Sequence, residues 1–139
     1  MKMLLDSSAL FKRFVDEPGR AAVLACMGNA RSLVAAPHCR VELHSALTRL
    51  GREGRYDIEA LRQTRAEIDS SFEQVDVMPF TSGLERAAIQ ALDATPLRTM
   101  DALHVAAALL GRVDLFVTAD RRQAAAAEAA GLRTHLISE

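Results

Sequence analysis

The chain has no tryptophan, one tyrosine and five phenylalanines among 139 residues. A platform of aromatic rings on which nucleic-acid bases stack is therefore weakly supported. Cysteine occurs twice, as Cys26 and Cys39, in neither a disulfide framework nor a C-x-x-C metal or redox motif. Both read as core thiols in a reducing compartment. No apolar run approaches the length of a membrane span, and the N-terminal one, Met3 to Leu5, is cut short by Asp6. Neither a membrane helix nor a signal peptide is expected, and the chain reads as cytoplasmic. Lysine is scarce too: of 17 basic residues only Lys2 and Lys12 are lysines. The net charge of -1 supplies no long-range attraction to a polyanion. Arginine suits phosphate recognition, but an arginine- and alanine-rich composition also follows from a GC-rich genome, and most of the arginines are read that way.

What remains is an ordinary globular composition, 50% apolar and 25% charged. The length predicts a single domain over residues 1–139, large enough to bury a core without disulfides or metals. Strand and helix signals alternate along it. Strands are expected at Lys2 to Asp6, Ser32 to Ala36, Val75 to Met78, Asp114 to Thr118 and Thr134 to Ile137. Helices are expected at Ser7 to Val15, Ala21 to Met27, His38 to Arg52, Asp57 to Phe72, Leu84 to Leu92, Thr99 to Leu110 and Arg121 to Ala130. In the third of these, Leu43, Ala46, Leu47 and Leu50 follow the helical spacing of one buried face. The helix from Thr99 is apolar nearly all round and is expected to be buried. Such alternation predicts a parallel sheet with helices on both faces. Ligands of such sheets bind beyond the carboxyl ends of the strands, where the strand order reverses.

Against this framework four acids stand out. Asp6 and Asp120 end or follow apolar strands, Met3-Leu4-Leu5 and Leu115-Phe116-Val117. Glu42 and Asp101 lie within apolar helical patterns. Asp6 and Asp120 also read as helix caps, and Glu42 as a half-exposed helix residue beside the apolar stripe. Asp101 is the hardest to explain away. A first-turn acid gains about 1 kcal/mol at most from the helix dipole when exposed, too little to offset deep burial. Gathered together, the four would repel one another and favour a bound cation. An all-oxygen donor set suits Mg²⁺ or Mn²⁺ rather than zinc. Its chemistry would be phosphodiester hydrolysis. Asp6 and Asp120 can meet only if the first and fourth strands are neighbours.

Four segments carry a family resemblance over essentially the whole chain. They are Leu5-Asp6-Ser7-Ser8-Ala9-Leu10, Glu42-Leu43-His44-Ser45-Ala46-Leu47, Met100-Asp101-Ala102-Leu103-His104 with the following Val105 to Ala108, and Leu115 to Arg122. In this order and spacing the chain resembles a PIN domain, and more narrowly a VapC-type ribonuclease toxin of bacterial type II toxin–antitoxin pairs. The resemblance implies a three-layer α/β/α fold with a mainly parallel five-stranded sheet. It implies Asp6 and Asp101 as the most regular metal ligands, Asp120 as the fourth acid, and Glu42 as the acid that helps hold the metal and its water. It implies RNA as substrate, Mg²⁺ with Mn²⁺ as substitute, a small antitoxin inserting residues at the acidic site, and a homodimer. Ser7 and Thr118 match small polar positions beside the cluster, where they would orient water or a ligand, or simply serve turn chemistry.

His104, three residues after Asp101, reads as a core histidine rather than a ligand, and His38, His44 and His135 are scattered. Arg121, Arg122, Lys12, Arg13, Arg40 and Arg98 are candidates to rim the site, each with solvated surface as its plainer reading. A haloacid-dehalogenase-like phosphatase would need a second acid two residues after the first, where Ser8 stands. A receiver domain would need an acid ending the third strand and a lysine near the fifth, and Met78-Pro79 and a lysine-free C-terminal half supply neither. The remaining alternative is a PIN-like module that binds RNA or protein without cleaving.

Overall fold

A computed structural model describes residues 1–138 of the chain. The elements run in the order β1 (Lys2–Leu5), α1 (Ser7–Leu10), α2 (Arg20–Met27), β2 (Ser32–Ala35), α3 (Cys39–Arg52), α4 (Ile58–Ser71), β3 (Val75–Val77), α5 (Ser82–Ala94), α6 (Thr99–Leu110), β4 (Leu115–Thr118), α7 (Arg121–Ala129) and β5 (Thr134–Leu136). The five strands form one sheet in the order β3-β2-β1-β4-β5, and every pairing is parallel. The expected parallel sheet is present, and β1 and β4 are neighbours.

Strand alternation divides the core in two. Met3, Leu5, Ala35, Leu115 and Val117 face α1 to α4, where Leu43, Leu47 and Ile68 are buried. Leu4, Val34 and Phe116 face α5 to α7, where Leu84 and residues Ala102 to Ala108 are buried. The result is a three-layer α/β/α arrangement. From β1 the chain builds outward to β2 and β3, then returns to add β4 and β5 on the other side. The reversal therefore falls between β1 and β4. Leu5 pairs with Val117 there, and the Asp6 amide donates to the Val117 carbonyl at 3.0 Å. The chain segments leaving both strands are held side by side.

Three local expectations need correction. The first helix stops at Leu10 and continues as a tighter 3-10 turn over Phe11–Arg13. The helix α6 is buried through its middle, but Met100, Leu109 and Leu110 at its ends are exposed. A helix of 12 residues spans roughly 18 Å, and a strand of four residues only roughly 13 Å, so both helix ends overhang the sheet. Cys39 is fully buried, whereas Cys26 is half-buried on α2, a helix that buries only Val23. No helix among the described residues is long and apolar enough to cross a membrane.

Candidate active site

Asp6 is the first residue past β1 and caps α1, its Oδ1 accepting from the Ala9 amide at 3.1 Å. Capping and site membership are therefore compatible at this position. The carboxylate is only 3% exposed. Oδ1 also accepts from the Ser8 hydroxyl at 2.6 Å, and Oδ2 from the Thr118 hydroxyl at 2.5 Å. Each hydroxyl in turn accepts a backbone amide from the segment after β4: Ala119 donates to Ser8 and Asp120 to Thr118, both at 3.0 Å. Two short relays thus tie Asp6 to the end of β4. Burial pushes the Asp6 carboxyl above its ordinary value, outweighing the opposing pull of His104, the two hydroxyls and the Ala9 amide.

Asp120 caps α7, its Oδ1 accepting from the Arg122 amide at 2.8 Å. Asp101 occupies the first turn of α6, where its Oδ2 accepts from Arg98 Nε at 3.2 Å. The Asp101 side chain is 20% exposed and Arg98 is largely solvated, so this pair is a weak one. Gln123, buried on α7, donates from Nε2 to the Asp101 carbonyl at 3.0 Å and so ties α7 to the turn that carries the acid.

Glu42 approaches from the opposite layer, on the first turn of α3. Its Oε1 accepts from Ser7 Oγ at 2.7 Å and lies 2.6 Å from His104 Nε2 and 3.2 Å from His38 Nε2. Burial works against its charge. Hydrogen bonding, chiefly from His104 and with Ser7, prevails and holds the carboxyl well below the usual range. Two acids at one site are thus pushed in opposite directions, the pattern found where carboxylates take different roles.

All four acids line a single cavity of about 750 Å³ at the carboxyl edge of the sheet. Ser7, Ser8, His104, Lys12 and Arg98 line it too, together with Arg49 and Arg55. Arg121 and Arg122 border an adjoining cavity that shares Asp101 and Asp120. Arg13 and Arg40 lie elsewhere, over the rings of Phe14 and Phe72. Among the described residues, the three side chains whose ligand atoms come within 4.8 Å of one another are His38, Glu42 and His104, not three of the acids. The donor set, carboxylates and hydroxyls around a buried acid whose hydrogen bonds do not offset its burial, suits a hard divalent cation.

Sequence reasoning missed His38, Gln123, Arg49 and Arg55. Gln123 carried a weak signal, as the uncharged polar residue between Arg122 and the Ala124 to Ala127 run. The arginines carried none, because Arg49 on α3 and Arg55 in the turn after it are ordinary solvent-facing positions.

An all-parallel, three-layer sheet with acids gathered at its topological switch point places the chain among the α/β domains that bind ligands at that point. The sequence profile of the PIN domain matches residues 3–129, and the chain belongs to the PIN domain family. Solved structures of similar fold include FitAcB from Neisseria gonorrhoeae, at TM-score 0.73 and 14% identity, covering 95% of each chain. VapBC2 from Rickettsia felis, bound to a DNA fragment from its promoter, aligns at TM-score 0.70 and 10% identity over 99% of this chain and 100% of that one. A toxin–antitoxin complex from Klebsiella pneumoniae aligns at TM-score 0.65 and 11% identity, covering 99% of this chain and 98% of that one. No curated protein sequence matches the chain.

Proposed function

We propose that this chain is a Mg²⁺-dependent endoribonuclease, with Mn²⁺ as a substitute, and the toxin of a type II toxin–antitoxin pair. The observation that carries the reading is the cavity lined jointly by Asp6, Glu42, Asp101 and Asp120. Asp6 and Asp101 are the leading metal ligands, and Asp120 and Glu42 complete the set. When bound, the cation offsets phosphate charge and lowers the pKa of a water molecule. The chain's own groups do the rest. Ser8 and Thr118 fix the orientation of the Asp6 carboxylate. Glu42, held in its charged form, is suited to orient an attacking water. Lys12, Arg49 and Arg98 along the cavity are suited to phosphate oxygens of a single strand.

The names of the similar structures support a small antitoxin as partner. Homodimerisation, a cytoplasmic location and one nuclease domain over residues 1–139 belong to the same reading.

The test is cleavage of end-labelled single-stranded RNA by the purified chain. Internal cuts should need Mg²⁺ or Mn²⁺ and stop with EDTA. Asp6→Ala and Asp101→Asn should lose more than the roughly 10–100-fold that changes to outer-shell residues cost. RNA cut equally well by these variants would sink the assignment, and RNA bound but never cut by wild type would favour the silent binding module.

A further inference from the structure

Glu42 presents its two oxygens to different surroundings. Oε1 accepts from Ser7 and faces His104 Nε2 at 2.6 Å, with His38 Nε2 3.2 Å away, while Oε2 takes no hydrogen bond among the described residues. The two histidines come from different layers: His38 precedes α3, and His104 lies on α6. Their rings lie 4.4 Å apart between centroids and are tilted by 46°. Their protonation can be read from the acceptors they face. His38 Nε2 is 2.9 Å from the Met100 carbonyl oxygen, which can only accept, so His38 carries its proton on Nε2. His104 Nε2 faces the Glu42 carboxylate and, by the same argument, carries its proton there.

We infer that His104 is a positioning residue for Glu42: with Ser7 it clamps the carboxylate through Oε1 and leaves Oε2 free to serve the cation and its water, while His38, tied to the Met100 carbonyl, braces the His104 ring. The inference rests on the metal-dependent reading proposed above. The clamp spans the carboxyl edge of the sheet, so it fixes the acid of the α3 layer against the layer that carries Asp101. His104, 2% exposed and 2.6 Å from Oε1, is the histidine that donates to Glu42. A carboxylate left to rotate would lose side-chain entropy each time it engaged the cation, and a prearranged one has already lost it.

The same three side chains could instead be a nitrogen-rich metal site of their own, which would favour zinc over magnesium. The geometry speaks against it. A metal-bound histidine almost always gives its other ring nitrogen a hydrogen-bond partner. Here both Nδ1 atoms are buried without one. His38 would also have to give up the Met100 carbonyl.

The experiment combines ring-nitrogen NMR with metal binding on the full chain. Long-range ¹H–¹⁵N spectra should show both rings protonated at Nε2, with a far-downfield His104 proton that moves upfield in Glu42→Gln. Mn²⁺ binding, followed by electron paramagnetic resonance, should weaken about 10–100-fold in His104→Leu. His104→Gln, which returns an amide donor near the Nε2 position, should recover most of that loss. The Mn²⁺ concentration giving half-maximal RNA cleavage should move in parallel. If His104→Leu fails to fold, the half-buried His38 offers the same comparison through His38→Leu and His38→Gln, with a smaller shift. Wild-type binding and cleavage with no change in either leucine variant overturns this inference alone. A wild type that neither binds Mn²⁺ nor cuts RNA overturns the functional reading and this inference together. Protons found on Nδ1, or Zn²⁺ binding that requires both histidines, also overturns it.

Discussion

Thr118 Oγ1 donates a 2.5 Å hydrogen bond to Asp6 Oδ2 and accepts the Asp120 amide at 3.0 Å. One hydroxyl therefore joins the end of β1 to the end of β4 and supports two of the acids. Thr118→Val keeps the shape and removes both bonds. It should cost about 1.5–3 kcal/mol, the range for a bond to a charged group. Thr118→Ser should stay within about 1 kcal/mol of wild type, the worth of one buried methylene-sized group. Urea denaturation of the three proteins decides it, and equal losses in both variants would deny the hydroxyl this role.

Asp6 gives a stability prediction with a definite sign. Its folded-state pKa lies above the unfolded value of 3.8, because burial disfavours the charge. The folded protein thus holds a proton that the unfolded chain releases. The contribution of Asp6 to stability falls as pH rises from about 3.8 through the folded pKa, and above that the penalty is complete. In EDTA, Asp6→Asn should therefore be more stable than wild type at neutral pH, with the gap closing in acid. The Asn amide can still donate to the Thr118 hydroxyl, which keeps the comparison fair. Denaturation midpoints at several pH values measure it, and a variant less stable than wild type at neutral pH would refute it. Mn²⁺ binding should likewise tighten as pH rises through the same window, with proton release visible by calorimetry in buffers of different ionisation heat.

The cysteines should differ in reactivity. Burial pushes the Cys39 thiol up to about 12, and it lies at the base of α3 with no exposed surface. Cys26 is half-buried and its thiol is raised as well, again by burial. A thiol reagent should label Cys26 slowly in the native protein and reach Cys39 only on unfolding. Mass spectrometry after timed labelling distinguishes the two, and early labelling of Cys39 would contradict its burial.

Much of the fold was legible because it depends on local periodicity. The helix from Thr99 to Leu110 matches its expected bounds. The strand ends fall within a residue or two of expectation, and Pro37 and Pro79, which lack an amide donor, stand just past β2 and β3. The adjacency of β1 and β4 followed from a chemical demand, that Asp6 and Asp120 share a site. Less legible was the geometry between layers. His104 read as a core histidine, and it is one, yet its ring nitrogen is spent on Glu42. Val41, apolar and next to Glu42, is 70% exposed, because α3 turns only the Leu43 and Leu47 face to the sheet.

The sequence by itself determined the alternation of strands and helices, the two-sided sheet and the identity of the four acids. These follow from patterns within a few residues, where side-chain period and capping chemistry act. Only the tertiary structure decided which partners each acid received. Glu42 and His104 stand 62 positions apart, on helices of opposite layers. Their meeting depends on how far each helix overhangs the sheet, and no local pattern encodes that distance. The same holds for Asp6, whose burial and raised pKa arise from the closing of β4 against β1.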